Sequence, residues 1–125
     1  MSDRAENPSP QIRLVADNDL YAPFGAEHGD TLEWVEFQMR EESLALPYHG
    51  ITSIRRTALQ SGDWFVTVVT PSNAVLVEGR HLGELIRGLR SRAIGFIQEF
   101  DPQRWPQPAE EEAVVMRLTF AGQGL

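Results

Sequence analysis

The sequence predicts an α+β fold: an antiparallel β-meander that forms a bent sheet or partial barrel, one amphipathic helix, and one further C-terminal strand. Three observations predict it. Residues 63–100 run in order through a strand-like segment, a tight turn, a second strand-like segment and an amphipathic segment. Residues 31–57 alternate in apolar character, which favours strands before this unit, and residues 113–121 alternate again after a proline-rich connection.

The first clear strand is predicted in residues 31–39. Val35, Phe37 and Met39 share one face, and the residues between them point the other way. A half-buried strand shows this pattern. Ahead of it, residues 20–24 (LYAPF) form an aromatic and proline-containing loop, which either straps over the protein's own core or docks on a partner.

The alternation continues in residues 44–48 until Pro47 and Gly50 interrupt it. Ile51 and Ile54 then follow three residues apart, where a regular strand would space them by two. This spacing indicates a bend or bulge, after which we expect the strand to continue to about residue 57.

A hairpin is predicted over residues 64–77. Residues 64–69 (WFVTVV) are rich in β-branched and aromatic side chains, and residues 75–77 (VLV) resume the pattern. Between them, Pro71 presets the first turn position and Asn73 tolerates a left-handed backbone, so the chain can reverse there.

The predicted helix covers about residues 81–91. Apolar side chains recur at spacings of three and four within an arc of about 120°; they are Leu82, Leu85, Ile86, Leu89, Ala93, Phe96, Ile97 and Phe100. The same stripe leaves a continuation to residue 100 open. Gly83, Gly88 and Gly95 each weaken a helix by about 1 kcal/mol relative to alanine, so residues 92–100 alternatively form a short strand.

Residues 101–112 form a proline-rich connector, and residues 113–121 are predicted to be a strand at or near a sheet edge. The apolar face of this strand is predicted to hold Val114, Met116, Leu118 and Phe120. The strand either contributes to self-association or completes the sheet of its own subunit. The acidic residues 110–112 carry charges that discourage uncontrolled edge pairing.

Length and composition predict one domain over residues 1–125, with residues 1–11 as a mobile tail. The chain has no cysteine and no lysine, which excludes thiolate chemistry, cysteine zinc sites and Schiff bases. No apolar run is long enough to span a bilayer, and no signal peptide is evident, so the expected compartment is the cytoplasm. A net charge of −7 makes nucleic acid an unexpected partner.

The runs LALPYHGITSIR, GDWFVTVVTPSNAVLVEG and HLGELIRGLR together resemble the pattern of bacterial pleckstrin-homology-like or GRAM-like domains. The resemblance covers about residues 32–92. It implies a C-terminal helix that plugs one end of a bent sheet, and binding to a protein or an anionic head group rather than catalysis. The extension to residue 100 and the strand after the prolines depart from that pattern.

Six residues are candidates for a binding site. Five are arginines and one is a histidine at a predicted strand break: Arg55, Arg56, Arg80, Arg87, Arg90 and His49. Together they would form a site for an anion or an acidic protein on an otherwise acidic molecule. The alternative is a solvated outer face, which is the usual environment of arginine.

Catalytic and metal sites are not expected. The three histidines, His28, His49 and His81, lack the spacing of a metal site, and no phosphate-binding, nucleophile or paired-carboxylate motif stands out. No cofactor is expected. The leading hypothesis is a small non-enzymatic module that works through protein contacts as a homo-oligomer. The alternatives are a ligand- or anion-binding regulatory domain, and a small hydrolase or isomerase with a histidine base.

Overall fold

The computed structural model describes residues 20–25 and 31–122, and within them the chain forms eight β-strands, one 3₁₀ turn and one α-helix. The elements are β1 Phe24–Gly25, β2 Trp34–Gln38, β3 Ser43–Pro47, the 3₁₀ turn Tyr48–Gly50, β4 Ser53–Ala58, β5 Trp64–Val69, β6 Asn73–Arg80, α1 Gly83–Arg90, β7 Phe96–Gln98 and β8 Val114–Gly122. The α+β class is confirmed. Over the described ranges, no helix combines the length and apolar character needed to cross a membrane.

The described strands form two four-stranded sheets, ordered β1-β7-β2-β3 and β4-β5-β6-β8. Neighbouring strands are antiparallel except β2 and β7, which run parallel. The predicted meander describes β2–β3 and β4–β5–β6, where strands next to each other in sequence pair. It does not describe β7 and β8, which join the sheets from beyond the helix. Each sheet keeps two edge strands, so the sheets are not closed.

One hydrophobic core joins both sheets and the helix. Val35 and Phe37 of β2 are fully buried, as the alternation in residues 31–39 predicts. The core also takes side chains from β5, β6, β8 and α1; these are Val66, Val68, Val75, Val77, Val115, Leu118, Leu82, Leu85, Ile86 and Leu89. Burial of this apolar surface is the main force that holds the sheets and the helix together.

The hairpin of β5 and β6 is confirmed, but its turn closes by a different device from the one predicted. The Thr70 N–H donates to the Asn73 carbonyl at 2.8 Å, and the Thr70 hydroxyl accepts from the Asn73 N–H at 3.0 Å. Among the described non-glycine residues, positive φ angles occur at His81 and Arg92. Asn73 is not among them, so the turn does not use a left-handed Asn73.

The helix ends at Arg90, and the predicted continuation to residue 100 is wrong. The Arg92 N–H donates to the Leu89 carbonyl and the Ala93 N–H to the Gly88 carbonyl, at 3.2 and 2.8 Å. These two bonds form a Schellman motif, in which the residue at the position of Arg92 adopts a left-handed backbone. The chain then doubles back, and the alternative of a short strand within residues 92–100 is confirmed by β7.

Gly88 makes this reversal possible. A Cβ atom at Gly88 would lie 2.5 Å from Cδ1 of Ile94, so the absent side chain leaves the space that Ile94 fills. Ile94 is buried there, although it lies off the helical stripe in the sequence. The glycine that weakens the helix in isolation therefore contributes packing where the helix ends.

A β-bulge changes which residues of β8 face the core. Glu78 pairs with Arg117 and Gly79 pairs with Val115, so Met116 is the extra residue. Val115 and Leu118 consequently face the core, while Met116 is 36% exposed. The predicted alternating face is wrong at Met116, because the bulge shifts the side-chain alternation by one residue. Phe120 at the end of the predicted face is also uncovered, with 43% of its surface exposed.

The segment before β1 straps over the protein's own core. Tyr21 packs its ring against Phe100 and Trp105, with centroid distances of 5.2 and 5.1 Å. These aromatic rings and Val114 make a second, smaller apolar cluster. The strap prediction is confirmed for Tyr21. The predicted tail, residues 1–11, lies outside the described residues.

Candidate functional site

Two of the predicted site arginines are engaged by nearby groups. Arg80 donates to the backbone carbonyls of Ala109 at 2.9 Å and Glu112 at 3.2 Å, so it holds the proline-rich connector. Arg87 forms an exposed ion pair with Glu84 one turn away on α1. The hydrogen bond between these two side chains lowers the pKa of Glu84 and raises the pKa of Arg87.

The two arginines of β4 face opposite sides of their sheet, since neighbouring residues on a strand alternate. Arg56 pairs across the ladder with Val66, which is a core residue, while Arg55 pairs with Thr67. The Arg56 guanidinium covers the ring of Trp64 at 4.7 Å from its centroid. Only one of the two can therefore belong to any single surface site.

The described histidines do not form a catalytic or metal arrangement. His49 is exposed in the 3₁₀ turn. His81 places its Nε2 atom 2.9 Å from the carbonyl oxygen of Glu110. Across residues 20–25 and 31–122, no three potential metal ligands lie together. His28 lies outside the described residues.

A pocket of about 280 Å³ opens between the 3₁₀ turn, the start of β4 and the end of α1. We name it the Tyr48 pocket. It is lined by Tyr48, Ile51, Thr52, Ser53, Ile54, Leu89, Arg90 and Arg92. The lining combines two arginines with hydroxyl groups and aliphatic side chains. It includes Arg90 from the predicted site residues and Arg92, which the sequence analysis did not single out.

Arg92 holds an uncommon conformation in this pocket. Its φ angle is 60°, a left-handed backbone that glycine adopts far more readily than arginine. Its guanidinium carbon lies 5.7 Å from the ring centroid of Tyr48, and its buried Nε atom has no hydrogen-bond partner. Residue type and spacing do not predict this site. Which residue adopts the left-handed backbone depends on where the helix ends, and the sequence does not show that it ends at Arg90.

The Tyr48 ring beneath Arg92 is fixed by its own hydroxyl group. The hydroxyl donates to the Ile94 carbonyl at 2.6 Å in a buried hydrogen bond. Burial raises the pKa of Tyr48 to about 12, and the positive charge of Arg92 opposes this only in part. Tyr48 is therefore a neutral, rigid surface for the guanidinium at physiological pH.

The outer edge of β8 is a second candidate site. The Val115 N–H donates to the Tyr21 hydroxyl, the Val115 carbonyl accepts from the Phe100 N–H, and the Leu118 N–H donates to Glu99. Antiparallel strands alternate between residues whose backbone groups face the partner strand and residues whose groups face away. The backbone N–H and C=O of Leu118 point away from β6, so those of Phe120, two residues later, point away from β6 as well.

The first half of this edge is covered and the second half is open. Among the described residues, no partner reaches the outward N–H and C=O of Phe120. The Phe120 side chain is also 43% exposed. We name residues 119–122 the open edge of β8, since the Leu118 N–H is bonded to Glu99. It combines free backbone donors and acceptors with an exposed aromatic ring.

A pocket of about 520 Å³ lies between the strap and the connector. Its walls are Leu20, Tyr21, Pro23, Pro106, Gln107, Pro108, Glu112 and Ala113. The Glu112 carboxylate already accepts a hydrogen bond from the Ala109 N–H at 2.9 Å, so this carboxylate stabilises the connector. The lining offers apolar contact surface but no pair of reacting groups.

Comparison with family models, curated proteins and solved structures found no match to this chain. The resemblance to pleckstrin-homology-like or GRAM-like domains therefore stays a prediction.

Proposed function

We propose that this protein is a non-enzymatic interaction module that associates with a second copy of itself through the open edge of β8. The observation that carries the proposal is the free N–H and C=O of Phe120 beneath an exposed aromatic ring. Unpaired strand edges are ready templates for pairing with another chain. Trp34 is more exposed, at 55%, but β2 lies inside its sheet and offers no free backbone edge.

The proposed contact is a two-fold antiparallel pairing centred on Phe120. Phe120 of each copy exchanges both backbone hydrogen bonds with Phe120 of the other, and the Leu118 carbonyl accepts from the Gly122 N–H of the second copy. The two β4-β5-β6-β8 sheets then become one continuous sheet of eight strands. The same surface serves both copies, as a two-fold interface requires.

Glu99 limits the length of this pairing. Its Oε2 atom accepts from the Leu118 N–H at 3.0 Å, and its Oε1 atom accepts from the Arg40 N–H at 3.1 Å. A second copy therefore cannot use the Leu118 N–H without displacing a carboxylate. The sequence analysis assigned this protective charge to residues 110–112, whereas Glu99 makes the contact. We infer a short and reversible interface rather than extended edge-to-edge growth.

Light scattering at several protein concentrations tests the proposal. Phe120→Pro removes the outward N–H but leaves the β6–β8 ladder intact, because that N–H does not face β6. We expect the wild type to approach the mass of a dimer as concentration rises, and Phe120→Pro to stay monomeric. Phe120→Ala keeps the N–H and serves as the control for loss of the ring, so we expect weakened association.

A wild type that remains monomeric at high concentration would overturn the proposal. A Phe120→Pro variant that dimerises as well as the wild type would show that another surface is used. Deleting β8 is a poorer test, because Val115 and Leu118 belong to the core.

The alternative of a ligand-binding domain is favoured by one observation, the two arginines of the Tyr48 pocket.

The histidine-base hypothesis has no comparable support, because no described carboxylate lies within hydrogen-bond distance of the His49 or His81 ring. We therefore rank an enzymatic function third among our proposals.

A further inference from the structure

We propose that the Tyr48 pocket binds a small aliphatic carboxylate through Arg92 and Arg90. This inference goes beyond the proposed self-association, since the pocket is built from the 3₁₀ turn, β4 and α1 rather than β8. The ligand class follows from three properties of the pocket: its charge, its fixed guanidinium and its aliphatic wall.

The charge of the pocket runs against the charge of the protein. The chain carries 18 acidic and 11 basic residues, so a cationic pocket is opposite in sign to the net charge of −7. Arg87 is paired with the carboxylate of Glu84. Within the described part of the chain, no carboxylate pairs with Arg90 or Arg92, and none lines the Tyr48 pocket. Two uncompensated guanidinium groups at one concave site favour an anion.

Arg92 is held in place before any ligand arrives. Its left-handed backbone is fixed by the Schellman motif and by the Leu32 N–H, which donates to the Arg92 carbonyl at 2.8 Å. Its guanidinium lies over the Tyr48 ring, which the Ile94 carbonyl anchors. Since the Nε atom is buried, the terminal nitrogens are the donors left for a ligand. A planar guanidinium fixed in this way matches the two oxygens of a carboxylate.

The wall of the pocket selects the rest of the ligand. Ile51, Ile54 and Leu89 offer aliphatic contact, and the volume of about 280 Å³ suits a molecule of a few carbon atoms. The Thr52 hydroxyl is already bonded to the Val69 carbonyl at 3.1 Å, which leaves the Ser53 hydroxyl as a further donor. A short branched monocarboxylate satisfies both the cationic and the aliphatic surfaces.

Inorganic phosphate matches only part of this pocket. Carboxylate and phosphate oxygens both suit guanidinium groups, so charge alone does not separate the two ligands. Phosphate has no apolar part to place against Ile51, Ile54 and Leu89. We therefore expect an aliphatic carboxylate to bind in preference to inorganic phosphate, because it fills the aliphatic wall as well.

Titration of isovalerate, followed by NMR shifts of backbone amides, tests the inference. We expect saturable shifts in residues 48–54 and 89–92, and no saturation with isovaleramide, the neutral isostere. Arg92→Gly suits the left-handed backbone, so we expect its thermal midpoint to equal or exceed that of the wild type. Its affinity for isovalerate should fall by at least about tenfold, the loss expected for one charge-assisted hydrogen bond.

Two further variants keep the test decisive. Arg92→Lys retains the charge but loses the planar fork, so we expect intermediate affinity. Arg55→Ala removes an arginine outside the pocket and should bind as the wild type does. A short acetylated peptide with a free carboxylate separates the two sources of this chemistry: tighter binding than isovalerate assigns the site to a chain terminus, and weaker binding assigns it to a free acid.

The inference is overturned if isovalerate produces no saturable shifts in the wild type. It is also overturned if isovaleramide binds equally well, because charge would then play no part. If Arg92→Gly does not fold, Arg90→Ala and Arg92→Lys take its place, and unchanged affinity in both would exclude the pocket.

Discussion

Leu85 and Leu89 illustrate how side-chain spacing translates into burial at the scale of single residues. Both lie on the predicted apolar stripe of the helix, and both are buried against the sheets, with 0% and 1% of their surface exposed. Glu84 and Arg87, on the opposite face, are exposed and pair with each other. The helical stripe is thus a packing surface, as its spacing predicts.

We predict that Leu89→Ala lowers the free energy of unfolding by about 2 to 5 kcal/mol, because it leaves a cavity in a packed core. Arg87→Ala, two residues earlier on the exposed face, should change it far less, since exposed ion pairs contribute little. Urea unfolding of both variants measures the difference. Equal stability of the two variants would show that the stripe is not core.

The candidate site was less predictable than the helix at this scale. The sequence indicates that arginines cluster along residues 80–92, and Arg90 does line the Tyr48 pocket. It cannot indicate that Arg80 binds the returning connector, because that contact joins residues about thirty positions apart. Nor can it single out Arg92, whose conformation depends on where the helix ends.

At the scale of strands and helices, a β-bulge and a helix end depend on local packing. The bulge opposite Gly79 turns Met116 out of the core, so strict alternation along β8 fails there. The end of α1 depends on the packing of Ile94 against Gly88. Periodicity predicts that both elements exist, as it did for the hairpin. Bulges and helix ends depend on tertiary contacts that periodicity does not contain.

Gly79 provides a test of the bulge. A Cβ atom at Gly79 would collide with the carbonyl oxygen of Val114, which belongs to rigid backbone. We expect Gly79→Ala to lower the free energy of unfolding by about 1 to 3 kcal/mol or more, as overpacking does. Gly83→Ala is the matched control. Its Cβ meets nothing within 4 Å, so the change should be neutral or stabilising by up to about 1 kcal/mol.

Thermal unfolding compares these two variants with the wild type. If Gly79→Ala were as stable as Gly83→Ala, the close approach of β6 and β8 at the bulge would be excluded.

Polar contacts join the two sheets at the scale of the whole molecule. The Tyr21 hydroxyl donates to Gln98 of β7 at 2.8 Å and accepts from Val115 of β8 at 3.0 Å. Glu99 joins the turn after β2 to β8 in the same way. The strap and the segment after β7 therefore hold the sheets together along the covered half of the β8 edge.

Tyr48, which is buried, and Tyr21, which is partly buried, predict an alkaline limit to stability. Burial raises the pKa of Tyr48 to about 12 and raises that of Tyr21 as well, from an ordinary value of about 10. Above about pH 10 the unfolded chain loses these protons while the folded chain retains them. The stabilisation they provide is therefore fully present below about pH 10 and falls as the pH rises toward 12.

Urea midpoints measured at intervals from about pH 8 to pH 11 check this dependence, and Tyr48→Phe should make it shallower. A midpoint that is constant over this range would mean that both phenols ionise equally in the folded and unfolded chains.

Amide hydrogen exchange at Phe120 tests the proposed self-association most directly. The backbone N–H of Thr119 points toward β6 and is paired in the β6–β8 ladder, so it should exchange slowly at every protein concentration. Among the described residues the Phe120 N–H has no partner, and the proposed dimer would pair it. We predict that its exchange is fast in dilute solution and slows as the concentration rises, while Thr119 is unchanged. A Phe120 amide that exchanges at the same rate at all concentrations would contradict pairing through β8.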